Sequence, residues 1–185
     1  MTLAELRAMA VDFIISSGYA PIIKEPIISD YAGRIINLHN TYLPYGRGIY
    51  PNFWSFFHDT PKGVTIHEID LGIDSGPILA QRRLEFSADD TLRSSFDRLE
   101  VLLVTLFTEI WDDLSTGKLT PYRQPPSSLP VPYRSRLEGE PLLEILPDGW
   151  DTLGTTVERM GAEALLTVDF WDQVEGEVAG KIAAG

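Results

Sequence analysis

A chain of 185 residues, 44% hydrophobic and 23% charged, has the length of one domain and the composition of an ordinary soluble globular protein. It contains no cysteine, which excludes disulfides, thiolate nucleophiles and Cys-ligated metals. The formal charge of −12 is uneven: residues 137–185 carry eleven acidic and two basic side chains, leaving only −3 for residues 1–136. Such a tail repels a phosphate backbone, so the sequence argues against a nucleic-acid partner.

No apolar run reaches the roughly 18 to 20 residues that a membrane span needs. The N-terminal MTLAELRAMAVD carries Glu5 and no basic cluster ahead of an apolar stretch, which speaks against a signal peptide and for the cytoplasm. Thr2 with Glu5 three residues on reads as a capping box that opens a short helix, LAELRAMA. VDFIIS (11–16) is an apolar, β-branched run of strand length, stopped by Ser17-Gly18. A short helix or turn is expected around Glu25–Tyr31, ended by Ala32-Gly33, and RIINLHN (34–40) is a second strand.

A loop of turn residues, TYLPYGRGIYP, leads into a short aromatic helix, NFWSFFHD. GVTIHEID (63–70) and PILAQRRLEF (77–86) are strands joined by the loop LGIDSG. The clearest helix runs from about Asp90 to Thr116, with Leu92, Phe96, Leu99, Leu103, Leu106, Ile110 and Leu114 at helical spacing and Gly117 at its end. PYRQPPSSLPVP reads as an extended linker, and one more helix is expected near Thr155–Leu166. The alternation of strands and helices predicts an α/β fold with a partly parallel sheet.

Asn37 and His39 lie two apart in an otherwise apolar strand, so they project from one face. Burying an amide and an imidazole there costs free energy unless both find partners. They are either satisfied polar residues at a strand end or working groups. Asp74 sits in the glycine-flanked loop Gly72-Ile73-Asp74-Ser75-Gly76, either as an Asx-turn residue or as a third member of a site. An amide donor, an imidazole and an orienting carboxylate suit acyl transfer without a covalent enzyme intermediate. His67 is read as a strand residue facing a neighbour, His58 as solvent-exposed, and Phe53, Trp54, Phe56 and Phe57 as core. Gly46-Arg47-Gly48 is either a plain turn or a receiver for an anionic acceptor.

The stretch YAGRIINLHNTYLPYGRG followed by KGVTIHEIDLGIDSGPILAQ closely resembles the 10-formyltetrahydrofolate-dependent formyltransferase family. That family includes glycinamide ribonucleotide, methionyl-tRNA and sugar N-formyltransferases. The similarity covers roughly residues 10–120 and rests on an Asn-x-His at a strand end, a Leu-Pro and Arg-Gly loop, and an aspartate some 35 to 40 residues on. The resemblance implies a Rossmann-like formyltransferase fold and assigns Asn37, His39 and Asp74 as catalytic. It implies that an amine attacks the formyl carbon of 10-formyltetrahydrofolate directly, through a tetrahedral intermediate, with no metal. Backbone groups at Gly18, Tyr19, Pro21, Ile22, Ile23 and Asp70 are then expected to hold the pterin.

Members of the family usually begin with about three further β–α units. The sequence therefore leaves three readings open: a fragment, a chain whose sheet is completed by a homo-oligomer or partner chain, and a shortened protein. The expected division is a catalytic core over 1–120, a Pro-rich linker over 121–136 and an acidic extension over 137–185. The acidity of that extension favours a small-molecule amine, such as a sugar amine, over tRNA. Two alternatives stand beside formyl transfer: hydrolysis of the same formyl donor, and a non-catalytic protein that keeps the core.

Overall fold

The computed structural model describes residues 2–19, 21–127, 129 and 133–166. Helix α1 (Leu3–Ala8) opens with the expected capping box, in which the Glu5 N–H donates to Thr2 Oγ1 at 3.3 Å and the Thr2 N–H to Glu5 Oε2 at 2.6 Å. Strand β1 (Ile14–Ser17) starts later than the expected Val11. The Val11 N–H closes onto Leu6 O and its carbonyl accepts from the Tyr31 hydroxyl, so the backbone at Val11 is committed to the turn out of α1. The one-turn α2 (Ile27–Asp30) leads to β2 (Ile35–His39), and α3 (Pro51–Phe57) follows the turn-rich loop. Then come β3 (Gly63–Glu68), β4 (Ile78–Arg83) and the long α4 (Leu92–Ser115).

The sheet has the order β1-β2-β3-β4, with β1 parallel to β2 and the remaining pairs antiparallel. This is the mixed α/β architecture that the alternation predicted. β1 is an edge strand and exposes Ile15. Ile36, Val64 and Ile66 pack with Leu99, Leu103 and Leu106 of α4, and Leu38 lies against the same cluster. Ile36 and Leu38 therefore face α4, which turns Asn37 and His39 to the other side of the sheet.

A separate core forms where α5 (Arg136–Glu144) and α6 (Gly154–Leu166) meet α3. Phe53, Trp54, Phe56 and Phe57 are buried there with Leu142, Leu146 and Val157, as their composition suggested. The sequence carries no clear helical pattern for α5, because Gly139 and Pro141 interrupt it. Packing requires the glycine: a β-carbon at Gly139 would stand 2.7 Å from the Tyr50 ring. The part of the acidic segment up to residue 166 thus shares its core with α3, and residues 167–185 lie outside the described residues.

Candidate active site

Pairing of β2 with β3 sets Asn37 directly opposite His67. Asn37 Nδ2 donates to Asp74 Oδ1 at 3.2 Å and lies 3.4 Å from His67 Nε2. His67 Nδ1 is 2.7 Å from the Glu68 carbonyl, which can only accept, so the proton sits on Nδ1 and Nε2 is left to accept from Asn37. His39 Nε2 is 3.0 Å from Gly46 O and by the same logic donates to it. That leaves His39 Nδ1 facing Asp74 Oδ2 across 3.8 Å. Asn37, His39 and Asp74 converge, together with a histidine that the sequence reading placed only as a strand residue.

Asp74 reaches this position through its loop. Its φ of +46° is in the left-handed region, unusual for a side-chain-bearing residue. A β-carbon on the nearby Gly76 would stand 1.9 Å from Glu68 O, so glycine is needed where the loop passes the end of β3 on its way into β4. One carboxylate oxygen accepts from Asn37 and the other from the Gly48 N–H at 2.8 Å. Burial pushes the Asp74 carboxyl up; His39, His67 and the Gly48 N–H outweigh it and hold the group well below the usual carboxylate range. Burial also lowers the His39 imidazole, and the Asp74 charge opposes this only in part. At neutral pH the site therefore holds an anionic Asp74 beside a neutral His39 whose Nδ1 is free to take a proton.

The expected pterin-binding positions lie on the segment after β1 and at the end of β3. Ser17 is level with Leu38, so Gly18 leaves β1 beside the end of β2. Ile69, by contrast, donates to Ile35 O at the start of β2, which places Asp70 there. Tyr19, Ile22 and Ile23 line a half-open cavity of about 340 Å³ with Thr2, Leu3 and Ile27; none of Asn37, His39 and Asp74 lines it. Gly18 has φ +59°, and Pro21 is exposed. The Asp70 carboxylate accepts from the Gly72 N–H at 3.0 Å and from Ser75 Oγ at 2.7 Å, so its side chain shapes the Asp74 loop. Among the described residues no cluster of three or more His, Asp or Glu side chains is arranged to hold a metal ion.

Two residues of the presumed linker and turn also belong here. Gln124 is buried and donates to the carbonyls of Asp74 and Gly76 at 2.9 and 2.8 Å. Arg47 donates to Gln124 Oε1 at 2.6 Å. No local signal marks Gln124, since its partners are backbone carbonyls 48 and 50 residues away and a side chain 77 residues away. His58, expected in solvent, instead stacks on Trp54 and accepts from Arg134 across 3.1 Å. Burial and the Arg134 charge lower it to about 4.

Residues 2–109 match the family model described as formyl transferase, more than half of the chain. The chain belongs to the formyl transferase family. Methionyl-tRNA formyltransferase of Acidithiobacillus ferrooxidans is 35% identical over 156 residues, which are 84% of this chain and 48% of that protein. The chain thus spans about half the length of the curated relatives it matches. Among solved structures, the formyltransferase PseJ of Anoxybacillus kamchatkensis is 44% identical with a TM-score of 0.75, over 80% of this chain and 76% of that one. That structure is a complex with UDP-4,6-dideoxy-4-formamido-L-AltNAc and tetrahydrofolate. Phosphoribosylglycinamide formyltransferase of Streptococcus pneumoniae is 31% identical with a TM-score of 0.57, over 60% and 63% of the two chains. The Rossmann-like formyltransferase fold inferred from the motifs is the fold of this chain.

Proposed function

We propose that this protein transfers the formyl group of 10-formyltetrahydrofolate to the amine of a small molecule, and that the acceptor class is a nucleotide-linked amino sugar. The convergence of Asn37, His39 and Asp74 on one face of β2 carries the transfer reading. The acceptor class draws support from the 44% identity to PseJ, whose structure holds a formamido sugar nucleotide, and from the acidity of residues 137–185, which disfavours tRNA. The Tyr19, Ile22 and Ile23 cavity offers an apolar wall for the folate donor.

The donor supplies an activated formyl carbon. As the amine nitrogen bonds to that carbon, negative charge gathers on the formyl oxygen, and the Asn37 amide stabilises it by turning one N–H from His67 Nε2 to that oxygen. His39 Nδ1 accepts the proton that the amine sheds, and the Asp74 carboxylate stabilises the imidazolium so formed. The bond from the formyl carbon to the folate nitrogen then breaks, and His39 returns its proton to that nitrogen. The electron pair and the proton are thereby both accounted for without a covalent enzyme intermediate.

The test is incubation with 10-formyltetrahydrofolate and a panel of UDP- and dTDP-linked amino sugars, with tetrahydrofolate and N-formyl product followed together. Stoichiometric product from one of them is expected. Formate released at the same rate with and without any amine would establish a hydrolase instead, and formylation of methionyl-tRNA alone would displace the sugar acceptor.

A further inference from the structure

Gln124 lies outside the span of the family match, in a stretch that composition marks only as a linker. Yet it is 8% exposed and every polar atom of its side chain is used. Its Nε2 donates to Asp74 O and Gly76 O, and its Oε1 accepts from Arg47. Two carbonyls need donors and a guanidinium needs an acceptor, a combination that a primary amide meets and a carboxylate or thioether of similar length does not. The same stretch of chain reaches the site a second time at Arg134, whose N–H donates to Arg47 O at 2.9 Å and whose carbonyl accepts from Ile49 at 3.0 Å. A β-carbon at Gly48 would stand 2.1 Å from Arg134 O, so this contact is close enough to require glycine. The Asp74 carboxylate is thus gripped by the Gly48 N–H, on a turn docked to Arg134, while the Asp74 backbone is gripped by Gln124.

We propose that Gln124 is a positioning residue, which holds the strained Asp74 backbone so that its carboxylate faces Asn37 and His39. The proposal rests on the formyl-transfer reading for its functional meaning. Its geometric content, that Gln124 sets where the Asp74 charge sits, stands apart from any substrate. The charged groups facing Asp74 across this network are Arg47 and, when protonated, His39 and His67; Asp70 faces Arg47 from the start of the loop.

The deciding measurement is the titration of the His39 ring by NMR in the full chain, where only three histidines need assignment. Gln124→Met keeps the volume and removes both kinds of hydrogen bond. With Asp74 released, His39 loses the anion that favours its charged form, and its midpoint falls by about one pH unit, while the His58 midpoint, set by burial and the Arg134 charge, stays in place. In an active preparation kcat falls roughly tenfold or more, with KM for the formyl donor held within about twofold. Gln124→Asn keeps the amide one methylene short; it is expected to shift His39 by less and serves where the Met variant does not fold. Tyr122→Phe breaks another tether of the same segment, the bond from the Tyr122 hydroxyl to Gln81, and is expected to leave His39 unmoved.

A folded Gln124→Met or Gln124→Asn protein with an unchanged His39 midpoint would overturn the proposal. An equal shift in Tyr122→Phe would overturn it too, by showing that general loosening of the segment is the cause. A wild-type chain that transfers no formyl group while Gln124→Met still shifts His39 would sink the proposed function and leave the positioning intact. An active wild type whose His39 is indifferent to Gln124 would do the reverse.

Discussion

At the scale of single residues, the site is a set of buried and half-buried polar groups whose hydrogen bonds go to one another and to loop backbone. Such groups cost free energy unless paired, and here each partner also fixes a protonation state. Gly46 O accepts a hydrogen bond from His39 Nε2–H and leaves Nδ1 towards Asp74. His39→Ala should therefore abolish transfer while leaving circular dichroism and the cooperative melt largely intact. Near-normal turnover in that variant would remove His39 from the mechanism. Asp74→Asn conserves shape and removes the charge that stabilises an imidazolium, so kcat should fall by about two to four orders of magnitude.

The same side chains set the dependence of stability on acid. His39 and His58 both have folded values below their ordinary 6.5, and Asp74 lies below its ordinary 3.8. In each case the unfolded chain binds the proton more readily, so stability is greatest above the unfolded value and falls as pH drops through the window below it. For His58 that window runs from 6.5 down to about 4. Melting temperatures measured between pH 7 and pH 4 should decline, and the decline should be shallower in His58→Gln. An equally steep decline in that variant would show that His58 contributes nothing to it.

At the scale of elements, register does the assembling. The antiparallel pairing of β2 with β3 brings His67 across from Asn37, and period-two alternation turns both away from α4. Helix α6 lies so close to α3 that a β-carbon at Gly161 would stand 1.7 Å from Phe57 O. Gly161→Val should force the two apart, lower stability by about 2 to 4 kcal/mol in denaturant titrations, and raise near-ultraviolet signal changes from Trp54. A variant as stable as the parent would mean that α6 does not need this approach. Helix α4 begins at the Thr91 capping box, whose hydroxyl accepts from the Ser94 N–H at 3.1 Å; Thr91→Ala should cost about 1 kcal/mol.

At the scale of the whole molecule, the segment beyond α4 is woven into what precedes it. Tyr122 bridges to Ile78, Gln124 holds the Asp74 loop, Arg134 docks on Gly48, and Leu142, Leu146 and Val157 cover the α3 aromatics. Cutting the chain after Thr120 would expose Phe53, Trp54, Phe56 and Phe57 at once. The truncated protein is expected to be insoluble or to melt without cooperativity. A soluble truncation with a sharp melt would show that the first 120 residues carry a self-sufficient core.

What the sequence determined by itself was everything encoded locally. Strand and helix periods located β2, β3, β4 and α4, the Thr2 and Glu5 pair marked the start of α1, and the Asn37-x-His39 and Asp74 motifs marked family and fold. Each of these signals lies within a few residues or in a motif of fixed spacing. Tertiary structure alone decided the partners of those motifs. His67 joins Asn37 through strand register, Gln124 meets Asp74 across 50 residues of chain, and α5 forms around a glycine and a proline because the Tyr50 and Trp54 side of the molecule accepts it. Contacts of that range depend on where the backbone travels between their ends, and a carbonyl hydrogen bond leaves no mark on the identity of the residue that supplies it.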